Sequence, residues 1–167
     1  QIAAQSPNSP RFDESLMEGI EKVIDEEGNI RPDASPALQK IRRMMGSKER
    51  ELDKVFRGVI NEYRKQGWLS DNVESFRNGR RVLSVPAEHK RKIRGIIHDE
   101  STTGKTAFIE PEKVIDINND IFDLVTEEKK EIYRILRDLS ETLRPYVPQM
   151  EDHMELIAAY DVIQAKA

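Results

Sequence analysis

"FRNGRRVLSVPAEHKRKIRGIIHDESTTGKTAFIEP", residues 76 to 111, decides how the chain folds, because hydrophobic periodicity changes here. Asn78-Gly79 is the strongest short hairpin signal, since both residues tolerate positive φ. It is flanked by Glu74-Ser75-Phe76-Arg77 and by Arg80 to Val85, which alternate like strands. A second pair, Ile93 to His98 and Lys105 to Ile109, flanks the turn Ser101-Thr102-Thr103-Gly104. The insert from Trp68 to Pro111 therefore reads as a small antiparallel sheet. Gly104-Lys105-Thr106 also copies the end of a nucleotide-binding P-loop. That motif needs a glycine where Asp99 stands and a helix after the threonine, whose amides complete the phosphate site. Here Ala107-Phe108-Ile109-Glu110-Pro111 alternates and stops at a proline, so neither ATP binding nor ATP hydrolysis is expected.

Helical periodicity governs both flanks. Upstream, Ser35-Pro36 supplies a hydroxyl cap and a first-turn proline. Leu38, Ile41, Met45, Leu52, Val55 and Val59 then follow at steps of three and four, with Lys48 filling one seam position, until Lys65 and Gly67. Downstream, Pro111 suits a first turn, with Glu110 and Glu112 beside the positive end of the helix dipole. Val114, Ile117, Ile121, Leu124, Ile132, Ile135 and Leu139 form the second seam, interrupted by Glu128. Neither helix hides its stripe alone, so antiparallel pairing of the two is expected; an ordinary helical bundle is the alternative. Asn118-Asn119-Asp120 either bonds across the helix pair or faces water, and Glu127, Lys130 and Glu131 read as a solvated face. Pro145 and Pro148 bend or end the helix, and Met150 to Ala165 reads as a last helix. Before the first long helix, Asp13 to Glu27 carries Leu16, Ile20, Val23 and Ile24, with Asp13 as N-cap and Gly28 as the left-handed stop.

Composition narrows the function. The 167 residues are 35% charged and only 6% aromatic, and they contain no cysteine. That is the profile of long two-sided helices, and it leaves no thiolate metal site or disulfide. No apolar run approaches a membrane span and no signal peptide is visible. The chain begins at Gln1 and its last residues continue a helical pattern, so it is expected to be a piece of a longer protein. Between residues 77 and 105 stand eight bases, Arg77, Arg80, Arg81, Lys90, Arg91, Lys92, Arg94 and Lys105. Glu88, Asp99 and Glu100 oppose them, so the segment is +5 in a chain of −4, and the remainder is −9. A basic sheet suits sequence-independent phosphate contact; the alternative is a solvated strand face that discourages edge pairing. These eight residues are the candidate nucleic-acid contacts. His98, Asp99, Glu100 and Glu110 are the only metal candidates, and strand alternation would put His98 and Glu100 on one face and Asp99 on the other. A polar turn that bonds itself is the preferred reading, and no metal is expected. No Ser/His/Asp triad spacing occurs, so no catalytic residue is expected.

The segment from Phe76 to Asp120, FRNGRRVLSVPAEHKRKIRGIIHDESTTGKTAFIEPEKVIDINND, resembles the centre of the MutS-two family, MutS relatives without mismatch-recognition domains. The resemblance extends upstream through Glu27-Gly28-Asn29-Ile30 and Ala34 to Leu38, and downstream through Ile135-Leu136-Arg137. It implies a mainly α fold with a small antiparallel β insert: a core-type helix and connector (1–35), an outgoing lever helix (36–67), a β-rich clamp (68–110), a returning lever helix (111–147) and a truncated core-type helix (148–167). It also implies a cytoplasmic, homodimeric parent whose ATPase domain, with ATP and Mg, and sometimes a nuclease domain, lie elsewhere. The family is associated with branched DNA, suppression of recombination and rescue of stalled ribosomes. The chain itself is then expected to be no enzyme and to hold no cofactor, contacting DNA or the ribosome through its clamp. A structural coiled-coil spacer or dimerisation module is the alternative.

Overall fold

The computed structural model describes residues 14–71 and 73–152, together with 154, 155 and 158. It is mainly helical with one four-stranded antiparallel sheet, and it divides into two compact units, Gln1–Gln39 with Lys130–Ala167, and Lys40–Lys129.

In the first unit, α1 (Glu14–Glu21) buries Leu16. It ends six residues before the position expected, because Asp25 Oδ1 accepts the amides of Glu27 (3.1 Å) and Asn29 (2.7 Å). That local turn, closed by a bridge between Ile24 and Ile30, competes with helix continuation. Gly28 does take positive φ, but inside this turn rather than at a helix end. The expected cap Asp13 lies outside the described residues. Ser35 caps α2 (Pro36–Lys65) as the sequence predicts: its Oγ accepts the Leu38 amide at 3.0 Å and donates to Glu131 Oε1 at 2.7 Å. Glu131 is therefore no member of a merely solvated face. Its bonds to Arg134 and Ser35 hold its carboxyl at about 2. The end of α3 (Glu112–Leu143) belongs to this unit, with Ile135 buried, and a 3-10 turn at Arg144–Tyr146 contains Pro145. Of the expected last helix, residues 150–152 are helical, and residues 159–167 lie outside the described set.

In the second unit, β1 (Glu74–Arg77), β2 (Arg80–Pro86), β3 (Gly95–Glu100) and β4 (Thr106–Pro111) pair in the order β1-β2-β4-β3. Asn78 (φ 53°) and Gly79 (φ 74°) make the expected hairpin turn. β3 starts two residues later than its sequence suggests, leaving Ile93 as a buried loop plug. Pro111 ends β4, opposite Gly95, instead of opening a helix.

One sheet face carries Leu83, Val85, Ala107 and Ile109 into a core completed by Leu52, Phe56, Val59 and Ile60 of α2 and Val114 and Ile117 of α3. The heptad reading missed Phe56 and Ile60. A sheet covers a broader helical stripe than one neighbouring helix does, so the buried face follows the 3.6-residue period. The polar seam positions set the antiparallel register within this unit. Lys48 Nζ reaches Asp120 Oδ2 at 2.8 Å, Arg42 Nε donates to Glu128 Oε1 at 2.7 Å, and Lys113 Nζ donates to Glu62 Oε2 at 2.6 Å.

Gly95 and Gly46 should respond oppositely to alanine. A Cβ on Gly95 would stand 2.0 Å from the Glu110 carbonyl oxygen, backbone that cannot move without opening β4. The G95A variant should lose several kcal/mol or fail to fold. Gly46, mid-helix with only the tip of Arg50 nearby, should gain about 1 kcal/mol as G46A. Urea titration of both variants checks the pair of signs.

Candidate nucleic-acid interface

The sheet face opposite the core mixes polar groups with Val82, Ile96 and Phe108, and it is organised around a buried charge. Glu110 is fully buried. Its Oε1 accepts from Arg80 Nη1 (2.7 Å) and Asn118 Nδ2 (2.9 Å), and its Oε2 pairs with His98 Nε2 at 2.6 Å. A carboxylate only accepts, so Nε2 carries the proton of that bond. Burial pushes the Glu110 pKa upward, but bonds from His98, Asn118 and Arg80 outweigh it and leave the group below its ordinary value. Glu110 thus holds three elements together and is not the helix-dipole acid its sequence position suggested.

A bulge makes this possible. The β3·β4 register shifts between Ile97 and Asp99, so His98 has no opposite partner and is re-aimed toward Glu110. Asp99 faces the same side, where it meets Arg77 at 3.2 Å. The expected alternation, with Asp99 opposite to His98, fails for this reason. Glu100 goes instead to Lys90 at 2.6 Å. Asp99 and Glu100 are thus drawn to separate cations rather than converging with His98 and Glu110.

The eight candidate cations separate into two kinds. Arg77 lies 3.6 Å from the centroid of the Phe108 ring, bonds Ser75 Oγ and pairs with Asp99. Arg80 is committed to Glu110. Arg81 lies on the core side, with its side chain only 14% exposed, between Asp53 and Glu74 and 4.6 Å from the Phe56 ring centroid. Lys90 is paired with Glu100. Arg91, Lys92, Arg94 and Lys105 are all exposed. Backbone bonds bring these last residues onto adjoining segments: the Ala87 amide donates to the Lys105 carbonyl at 2.9 Å, and the Lys92 amide to the His89 carbonyl at 2.9 Å.

The turn between β3 and β4 is closed on itself, Thr106 N donating to Ser101 Oγ (3.0 Å) and Gly104 N to the Ser101 carbonyl (2.8 Å). A strand follows it where a P-loop has a helix. The residue that sequence reading missed is Trp68. The structure sets it under Lys92, whose Nζ lies 5.8 Å from the ring centroid. They stand 24 residues apart in the chain, too far for a local pattern to join them.

No family model matches the chain. It is 37% identical over 152 residues to the Endonuclease MutS2 of Halothermothrix orenii, and 33% identical over 150 residues to that of Streptococcus equi subsp. equi. It is also 37% identical over 145 residues to the Endonuclease MutS2 of Lactococcus lactis subsp. cremoris. These matches cover 91%, 90% and 87% of this chain but only 19%, 19% and 18% of the relatives, so the chain spans about a fifth of their length.

Replacing Glu110 by glutamine should cost about 3 kcal/mol, because Arg80 would keep its charge in a site built for a carboxylate. The lowered pKa fixes the sign of the pH effect. Glu110's contribution is complete above its ordinary value near 4.5 and is lost as pH falls below that. Urea midpoints measured from pH 7 to pH 3 should fall less steeply in E110Q than in the wild type.

Proposed function

We propose that this chain, which belongs to the MutS2 family through the shared segment, forms the family's lever and clamp, contacting nucleic acid or the ribosome through the basic loops of its sheet. In this reading α2 and α3 are the outgoing and returning lever helices and the sheet is the clamp. The observation that carries it is the set of cations left after the fold has used its own. Arg91, Lys92, Arg94 and Lys105 stand exposed on adjoining segments, while Arg77, Arg80 and Arg81 are held by internal partners. Exposed cations of this kind neutralise backbone phosphates with little regard to sequence. Either branched DNA or ribosomal RNA supplies that chemistry, in keeping with a role in recombination suppression or ribosome rescue. The relatives carry the name endonuclease, so nucleic acid is the natural ligand class for the whole protein. Catalysis belongs to other parts of that protein, a homodimeric cytoplasmic ATPase using ATP and Mg, with or without a nuclease domain. Among the described residues no helix is long and apolar enough to cross a membrane. A pure spacer is not favoured, because it gives the exposed loop cations no task.

Replacing Arg91 and Lys92 together by alanine should weaken binding evenly across sequences. On duplex DNA the slope of log affinity against log salt should flatten by about 1.8, two phosphates' worth. Stability should change by no more than about 0.5 kcal/mol. Alanine at Arg81 should do the reverse, lowering stability while leaving the salt slope intact. Lys129 and Lys130 to alanine is the control. If the Arg91/Lys92 variant binds DNA and ribosomes as the wild type does, in this chain and in a full-length dimeric parent, the spacer reading replaces this one.

A further inference from the structure

Trp68 is the only tryptophan in the chain, and it is partly buried. Just beyond the end of α2, its amide donates to the Tyr63 carbonyl at 3.2 Å, and the two rings lie 5.6 Å apart at a tilt of 32°. Both rings pack against the core while staying partly exposed. The group over the indole is a flexible ammonium, that of Lys92, which also lies 3.2 Å from His89 Nδ1. The charges acting on the Tyr63 hydroxyl are mixed, Glu62 and Glu112 with Lys113 and Arg94, whereas the indole itself lies under Lys92, with exposed Arg91 next to it in the chain. The indole face is thus covered by a cation, Lys92. The more exposed Phe76 is not comparable, because the pocket it lines also contains Glu49 and Asp53, which would repel a phosphate.

We propose that Trp68 is a stacking platform for an unpaired nucleobase and that Lys92 then takes the adjoining phosphate, so that the interface prefers single-stranded nucleic acid to closed duplex. This inference rests on the phosphate-contact reading of the same loop. Magnitudes favour the exchange. An exposed ammonium over an aromatic ring is the weaker contact, and a base stacked on an aromatic side chain is the stronger. A base therefore displaces the ammonium, which stays tethered beside the strand it has made room for. In a duplex the bases are already stacked, and the indole has nothing to receive.

The test uses this chain with an oligothymidylate and an oligouridylate of about twelve nucleotides, within the usual footprint of single-strand sites, and a DNA duplex of equal length. Single strands should quench Trp68 emission saturably, and the duplex should bind without doing so. W68L should weaken single-strand binding about tenfold and duplex binding less than twofold, while W68F, which keeps a ring, should restore most of the loss. The two oligonucleotides tell a DNA preference from an RNA one. Binding of labelled single strands with unchanged wild-type emission would overturn the proposal without needing a variant. So would equal weakening of both ligands by W68L. If R91A/R94A binds both ligands as the wild type does, the phosphate-contact reading fails as well. If R91A/R94A weakens both while emission stays constant, only the stacking platform is lost.

Discussion

A carboxylate with no access to water organises the sheet. Burying a charged group costs several kcal/mol unless it is paired and its lone pairs are bonded. Glu110 meets that condition through Arg80 on β2, His98 on β3 and Asn118 on α3. Each partner imposes a feature of the fold. His98 reaches the carboxylate only because β3 bulges beside it. Asn118 must lie near the sheet, which fixes the path of α3 two turns after it leaves β4. Gly95 lets the β3 backbone pass against the Glu110 carbonyl, where any side chain would collide. Breaking one bond here leaves others uncompensated, so the site responds as a unit rather than as separate contacts.

That constraint also decides which cations are free for a partner. Charge along the sequence marks eight bases as equivalent, but the fold uses them unequally. Arg80 neutralises Glu110. Arg81 braces the first hairpin against Asp53 on α2, and Arg77 reaches across the sheet to Asp99 over the Phe108 ring. Lys90 in the loop before β3 pairs with Glu100, but Arg91 and Arg94 in that loop and Lys105 after the 101–104 turn form no ion pair among the described residues. In the proposed reading, contact falls to loops displayed by the sheet, the usual division between scaffold and contact surface.

Much of the architecture was legible in the sequence. Asn78-Gly79, the Ser35-Pro36 helix start and the two apolar seams each have local causes, and local causes leave local patterns. Lys48 and Glu128, which interrupt the seams, turned out to be members of the ion pairs that align α2 with α3. Burial of Glu110 was not legible, since its partners come from three distant elements and its neighbours favoured a helix start. The bulge at His98 hid for the same reason: alternation gives no warning of one extra residue. Phe56 and Ile60 were missed because a heptad template assumes a helix as the partner, and the partner is a sheet. The short α1 depended on Asp25 competing for backbone amides, and the role of Glu131 on a serine 96 residues away.

The central claim, that the fold consumes Arg80 and Arg81 while Arg91 and Arg94 face the ligand, is tested most directly by arginine modification. Phenylglyoxal labelling of the chain, read residue by residue by mass spectrometry with and without nucleic acid, reports each guanidinium separately. The account predicts slow labelling of Arg80 and Arg81 in both conditions, and fast labelling of Arg91 and Arg94 that nucleic acid suppresses. Protection of Arg80 and Arg81 by the ligand, with Arg91 and Arg94 labelled equally in both conditions, would contradict it.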